Sequence, residues 1–208
     1  MHVRIKICGI TKPADARAAA ALGADAIGLN FYPKSVRNID ADTAKTIVLE
    51  LPPFVTPVAL FVNEPIAQIQ MMAKRLAIGT VQVHADTLEP IPVDDFRWIP
   101  AFTVASAADL ETIRTYAEKS RPAAILVDAR MPGMYGGTGQ TAPWHLLAGF
   151  DPGAPVILAG GLTPDNVAEA IRIVRPYAVD VASGVESTPG QKDAEKMRRF
   201  IDAVRAAS

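Results

Sequence analysis

Short apolar runs return along the chain at regular intervals, each closed by a turn residue and followed by an Ala-, Leu- or charge-rich stretch with helical spacing. They are VRIKIC (3–8), AIGLNF (26–31), TPVALFV (56–62), TVQVH (80–84), WIPAFTV (98–104), AAILVDA (123–129), PVILAGG (155–161) and YAVDVAS (177–183). Runs of this length, rich in Val and Ile and alternating with helix-period segments, predict the strands of a parallel sheet covered by helices. Eight units in 208 residues leave about 26 residues each, enough for a strand, a helix of about ten residues and short connections. No composition shift or low-complexity linker divides residues 1–208, so the pattern predicts a single α/β domain, a closed (β/α)8 TIM barrel. An open doubly wound sheet would carry fewer strands.

Helix boundaries agree. TPDN at 163–166 offers Thr163 as N-cap with Pro164 at the first helical position, and TKPADARAAAALG opens on Thr11 and closes on Gly23. The fourth and sixth helices have the faintest pattern, because DTLEPIPVDD holds two prolines and the segment after residue 141 is brief.

In such barrels the chemistry sits at the C-terminal strand ends, and the loops after strands 7 and 8 commonly hold a phosphate. The residues standing there are Cys8, Asn30, Asn63, His84, Thr103, Asp128, Gly160–Gly161 and Ser183–Gly184. Val3, Ile5 and Ile7 share one face of the first strand and Arg4, Lys6 and Cys8 the other, which sends Cys8 into the barrel mouth above Lys6. A neighbouring ammonium favours the thiolate, so Lys6 is expected to lower the Cys8 pKa and make it a usable base or nucleophile; the plain alternative is a small buried hydrophobe. Asp128 ends an apolar strand, where a carboxylate is expensive unless it is paired, faces a site or caps a loop. After it comes ARMPGMYGGTGQT, a long glycine-rich loop of the kind that forms a lid, and Gly137, Thr138 and Gly139 in GGTG are placed to bring backbone N–H groups to a phosphorylated ligand.

LAGGLTPDNV and VASGVES put Gly160, Gly161, Ser183 and Gly184 on the two strands where barrels bind phosphate, the first leading into a helix N-terminus. Strands 6, 7, 8 and 1 are consecutive in a closed ring, so Asp128, both glycine turns and Cys8 form one arc. Arg37, in FYPKSVRNID, is either a carboxylate clamp from the neighbouring side or a solvated loop arginine. Asp180 points into the barrel, where an ion pair with Arg4 or Lys6 is the plain account; His84 either meets ligand or is a satisfied strand-end histidine.

Charge removes several classes of function. With 21 Lys plus Arg against 22 Asp plus Glu, the chain lacks the electrostatic footprint for nucleic acid or an anionic membrane. No apolar run approaches the ~20 residues of a membrane span, there is no signal-peptide pattern, and one cysteine forms no internal disulfide, so a soluble, reduced, cytoplasmic protein is expected. The absence of G-x-x-x-x-G-K-[ST] and of a Cys/His cluster leaves nucleotide hydrolysis and structural zinc without support.

Taken together, KICGIT, FYPKSVR, LFVNE, VQVHAD, LVDA followed by GGTG, LAGGLTPDNV and DVASGVESTPGQKD resemble the phosphoribosylanthranilate isomerase family of tryptophan biosynthesis from end to end. The chain departs from the family pattern at Ala85, usually Gly, and at Ala142-Pro143, usually Phe-Asp. The resemblance implies an Amadori rearrangement of a small phosphorylated substrate without metal or cofactor, with Cys8 as general base, Asp128 as general acid and Arg37 on the anthranilate carboxylate. It also implies a monomer or homodimer. Two rivals remain at this level: the sister Amadori reaction of histidine biosynthesis, whose barrels typically carry Asp where this chain has Cys8, and a non-catalytic phosphate-ligand-binding barrel.

Overall fold

Each of the eight apolar runs forms a strand: β1 (Arg4–Cys8), β2 (Ala26–Asn30), β3 (Thr56–Val62), β4 (Thr80–His84), β5 (Arg97–Thr103), β6 (Ile125–Asp128), β7 (Val156–Ala159) and β8 (Ala178–Val181). The structure, a computed structural model, describes residues 2–86, 90–92, 94–129 and 144–208. The strands pair in parallel in sequence order, and β8 returns to β1 with Lys6 opposite Asp180, so the sheet closes into the expected barrel. Closure matters for the site, because it makes the ends of β6, β7, β8 and β1 neighbours.

Period-two alternation divides the buried residues into two cores. Outward-facing Ile5, Ile7, Ile27, Val81, Ile125, Val127, Val179 and Val181 pack under the helices in one large cluster. Inward-facing Val58, Ile99, Ala101, Leu126, Ile157, Ala159 and Ala178 form a second, smaller cluster inside the barrel. Lys6, Gln82 and Asp180 are buried too, and strand alternation turns them inward as well.

Six α-helices surround the strands among the described residues: α1 (Pro13–Leu22), α2 (Ala41–Glu50), α3 (Ile66–Arg75), α4 (Ala107–Ser120), α5 (Val167–Val174) and α6 (Ala194–Ala207). Gly23 ends α1 at φ 99°, returning its N–H to the carbonyls of Ala19 and Ala20, as its position in the sequence predicts. The helix does not start on Thr11, however; Lys12 holds the N-cap position, and the Thr11 hydroxyl donates to the Gly190 carbonyl at 2.7 Å. Likewise α5 starts at Val167, with Asn166 rather than Thr163 at its N-cap position. The described residues between β4 and β5 form no helix, and those between β6 and β7 form only a 3-10 turn at Trp144–Leu147. Pro90 and Pro92 explain the first case: each lacks a donor N–H and biases the residue before it away from the helical region. After β8 the chain makes a small antiparallel ribbon, β9 (Glu186–Thr188) and β10 (Gln191–Lys192), turning through Gly190 at φ 84°. Among the described residues no helix is long and apolar enough to cross a membrane.

Candidate active site

The interior of β1 is built around an ion pair. Lys6 Nζ donates to Asp180 Oδ1 at 2.9 Å with both side chains buried, which settles the partner of Asp180 as Lys6; Arg4 instead lies over the Tyr177 ring at 4.4 Å. Cys8 stands next along the same face, opposite Gly28 of β2. A methyl group at 28 would meet Cys8 Sγ at 2.7 Å and Lys6 Nζ at 3.0 Å, so the missing side chain is the space in which the thiol and the ammonium lie.

The expected lowering of the Cys8 pKa is corrected by this geometry. Burial pushes the thiol up and outweighs the Lys6 ammonium, which pulls it down; the Asp180 carboxylate, on the far side of Lys6, adds to the rise. Burial alone would lower the Lys6 pKa, but Asp180 and Cys8 together hold it up at about 12. Lys6 is therefore a permanent cation whose field is shared between a carboxylate and the thiol.

Arg37 reaches the site from the loop after β2. Asn30, at the end of β2, accepts from the Tyr32 N–H at 2.8 Å and donates to Ser35 Oγ at 3.2 Å, and Ser35 Oγ accepts the Arg37 N–H at 3.1 Å. The arginine stem passes over Gly9 so closely that a Cβ there would overlap its Cδ, and Gly9 itself has φ 71°. Its guanidinium is tied down rather than free in solvent, although 23% of the side chain stays exposed. Nε and Nη2 bind Glu186 Oε1 and Oε2 at 2.7 and 2.6 Å, and Lys192 Nζ donates to the same Glu186 Oε1 at 2.8 Å. Burial opposes ionisation of Glu186, yet the two cations hold its carboxyl below the usual range. Sequence reading missed Glu186 and Lys192; the only signal was their place in the motif SGVE..PG.KD.

At the opposite side Asp128 ends β6, in register with Thr103 and Ala159. Gly160 and Gly161, after β7, both have positive φ, 95° and 64°. Asn166 braces that turn by donating to the Gly161 carbonyl at 3.0 Å and accepting from the Thr163 N–H at 2.8 Å. Gly184, in the 3-10 turn Ser183–Val185, lies against the Leu162 carbonyl so closely that no Cβ fits. A cavity of about 280 Å³ joins these elements, lined among others by Cys8, Arg37, Asp128, Gly160, Gly161 and Ser183. Of the arc expected from the sequence, Cys8, Asp128, Gly160, Gly161 and Ser183 line this cavity and Gly184 does not; Gly137, Thr138 and Gly139 lie outside the described residues.

His84 and Asp180 line the same cavity, and so does Gln82, which sequence reading did not select. Gln82 Nε2 lies 2.7 Å from His84 Nε2, while its Oε1 is buried without a partner among the described residues. Burial and the Lys6 ammonium lower the His84 pKa, so the ring is neutral and its Nε2 accepts from the amide. A larger hollow of about 510 Å³ opens beside α3 and is lined by Phe61, Ile69, His84, Trp98 and Tyr116 among others, but neither Cys8 nor Asp128 lines it. Among the described residues no group of three His, Cys, Asp or Glu side chains is arranged to hold a metal ion.

Comparison with known proteins bears on what such a cavity serves. The family model for N-(5'-phosphoribosyl)anthranilate isomerase matches residues 5–203. A curated isomerase of that name from Geobacter metallireducens is 49% identical over 207 residues, covering 98% of this chain and 100% of its own length. The crystal structure of phosphoribosyl anthranilate isomerase from Thermotoga maritima superposes with a TM-score of 0.87 at 40% identity, covering 98% of this chain and 99% of that one. A further structure, of a phosphoribosyl anthranilate isomerase in complex with reduced 1-(o-carboxyphenylamino)-1-deoxyribulose 5-phosphate, superposes with a TM-score of 0.83 at 38% identity, with 98% and 99% covered.

Proposed function

The chain belongs to the N-(5'-phosphoribosyl)anthranilate isomerase family, and from that premise we propose that it carries out this isomerisation of tryptophan biosynthesis with Cys8 as general base and Asp128 as general acid. The observation that carries the reading is the one cavity onto which Cys8, Asp128, Arg37, the glycine turn after β7 and Ser183 after β8 all open. Asp128 gives its proton to the furanose ring oxygen as the C1–O bond breaks, and the anilino nitrogen lone pair forms the Schiff base. Cys8, in the minor thiolate fraction that its raised pKa leaves and that the Lys6 ammonium favours, then takes the C2 proton, and the C2–H electron pair moves to make the enolamine. Tautomerisation places a proton on C1, releases the one on the C2 hydroxyl and leaves the ketone.

The rest of the cavity suits the ends of that substrate. Gly160, Gly161, Ser183 and Gly184, with Gly137, Thr138 and Gly139, are assigned to the phosphate, which the open backbone of two adjacent turns can approach. Arg37 is assigned to the anthranilate carboxylate. Lys6 and Asp180 set the charge around the thiol, and His84, neutral in this setting, is a hydrogen-bonding wall rather than a second base. No metal or cofactor has a part in this scheme. The protein is read as cytoplasmic and as a monomer or homodimer, with a small phosphorylated molecule as its substrate and no part for nucleic acid or membrane.

The test is a fluorescence assay of freshly generated phosphoribosylanthranilate. Rapid loss of substrate fluorescence with the purified protein, and no loss with Cys8→Ala, supports the reading. Turnover by Cys8→Ala at the wild-type rate removes the base assignment. No turnover by either sends the search to the histidine-pathway substrate.

A further inference from the structure

The Arg37, Glu186 and Lys192 cluster is larger than a simple anion clamp requires. A lone arginine on a loop already carries the charge a carboxylate needs, yet here the loop after β2 is tied through its guanidinium to the ribbon after β8, 149 residues away in sequence. Glu186 retains only 4% side-chain exposure and Lys192 none. Burying Glu186 and Lys192 against a partly exposed Arg37 is a poor way to gain stability, since apolar residues of similar volume usually do as well or better. What apolar residues cannot do is turn a guanidinium.

Two features of the cluster specify that turn. A guanidinium has five N–H groups in a flat fork, and Glu186 occupies the Nε and Nη2 side of it. Nη1 makes no hydrogen bond among the described residues, and Arg37 lines the cavity while Glu186 does not. The charges also matter: Glu186 by itself would cancel Arg37 and repel an incoming carboxylate. Lys192, donating to Glu186 Oε1 at 2.8 Å and to the Ala182 carbonyl at 3.0 Å, restores a net charge of one positive unit. The surrounding backbone is built to the same end. Gly190 lets the ribbon pass behind the loop, because a Cβ there would lie 2.9 Å from the Val36 carbonyl oxygen.

We propose that Glu186, itself held by Lys192, is a positioning residue that occupies one side of the Arg37 fork and so presents the Nη1 end to the carboxylate of the substrate. Lys192 keeps the cluster cationic. This rests on the assignment of Arg37 to the anthranilate carboxylate made above, and the two can be tested apart.

The experiment measures binding, by titration calorimetry, of reduced 1-(o-carboxyphenylamino)-1-deoxyribulose 5-phosphate and of its counterpart lacking the carboxyl group. The proteins are wild type, Glu186→Gln and Glu186→Asp; the Asp variant, one methylene shorter, keeps the charge but cannot span both arginine contacts and Lys192. Wild type is expected to prefer the carboxylated ligand by at least about tenfold, the scale of one charge-assisted hydrogen bond. Both variants should lose about tenfold on that ligand and less than twofold on the other, and turnover should show KM raised with kcat within about threefold. Equal weakening of both ligands means a merely structural role and overturns the inference, as does full retention of the preference in either folded variant. A wild type that shows no preference overturns the Arg37 assignment itself, and this inference with it.

Discussion

The two sides of the barrel wall are made by different rules. Outside, Ile5, Ile7, Val127, Val179 and Val181 meet the helices in an apolar layer that includes Phe200 and Ile201 of α6. Inside, the lower space is filled by Ala and branched apolar side chains, while Lys6, Gln82, Asp180 and Cys8 occupy positions that Val or Leu would fill at least as stably. The outer face is thus organised to hold the fold, and the inner upper face carries the residues to which the proposed chemistry is assigned. Changes to the first should appear in unfolding and changes to the second in turnover.

The largest separation is expected at the reacting groups. Cys8→Ala and Asp128→Asn should each lower kcat by about 10²- to 10⁴-fold, while urea midpoints stay near wild type; a folded variant with normal turnover would refute that residue's role. Phe200→Ala should do the opposite. It truncates a fully buried ring of α6 and should cost about 3–5 kcal/mol in denaturant unfolding, with KM unchanged in the protein that remains folded. The inner ion pair sharpens the contrast: Lys6→Met leaves Asp180 buried without its cation and should cost about 3 kcal/mol, whereas the double variant Lys6→Met, Asp180→Leu should recover most of that and still lack activity. If the double variant were as unstable as the single one, the inner charges would belong to the scaffold after all.

Two smaller effects complete the series. Arg37→Ala should raise KM by about tenfold or more with kcat nearly constant; a large fall in kcat at unchanged KM would contradict a binding role. The raised thiol pKa of Cys8 predicts slow alkylation by iodoacetamide at neutral pH, with a rate that climbs only above the ordinary thiol range of about 8.5. The sign for stability follows: a folded-state pKa above the unfolded one favours folding at low and neutral pH and loses that contribution as pH rises through it. Asp180→Asn removes one cause of the rise, so it should speed alkylation; slower alkylation would show that Asp180 acts on the thiol only by anchoring Lys6.

Strand number and order were legible in the chain because each strand of a doubly covered sheet is a Val- and Ile-rich run. Cys8, Asp128 and the glycine turns were legible because they interrupt such runs at their ends. Other features depend on distant parts of the sequence meeting. Glu186 and Lys192 were not selected from the sequence, because Arg37 stands on a loop 149 residues before Glu186 and only the fold brings it to them. Gln82 is one polar residue in an apolar run: strand alternation alone sets its amide beside His84, two positions on along the same face of β4, and closure of the barrel turns that face into cavity wall. The direction of the Cys8 shift was misread for the same reason: Lys6 is two residues away in the chain, whereas burial and Asp180 come from the opposite end of the sequence. The faint patterns between β4 and β5 and between β6 and β7 reflect a local limit instead, since Pro90 and Pro92 can be read directly and the turn at Trp144–Leu147 is too short to show a period.

Gly184 has an implication for anyone who would rebuild this protein. Because its backbone rests directly on the Leu162 carbonyl, the turns after β7 and β8 are a single moulding rather than two interchangeable parts. A loop grafted from another barrel onto either strand must bring its counterpart with it, and libraries that vary one turn while fixing the other will be sampling mostly collisions.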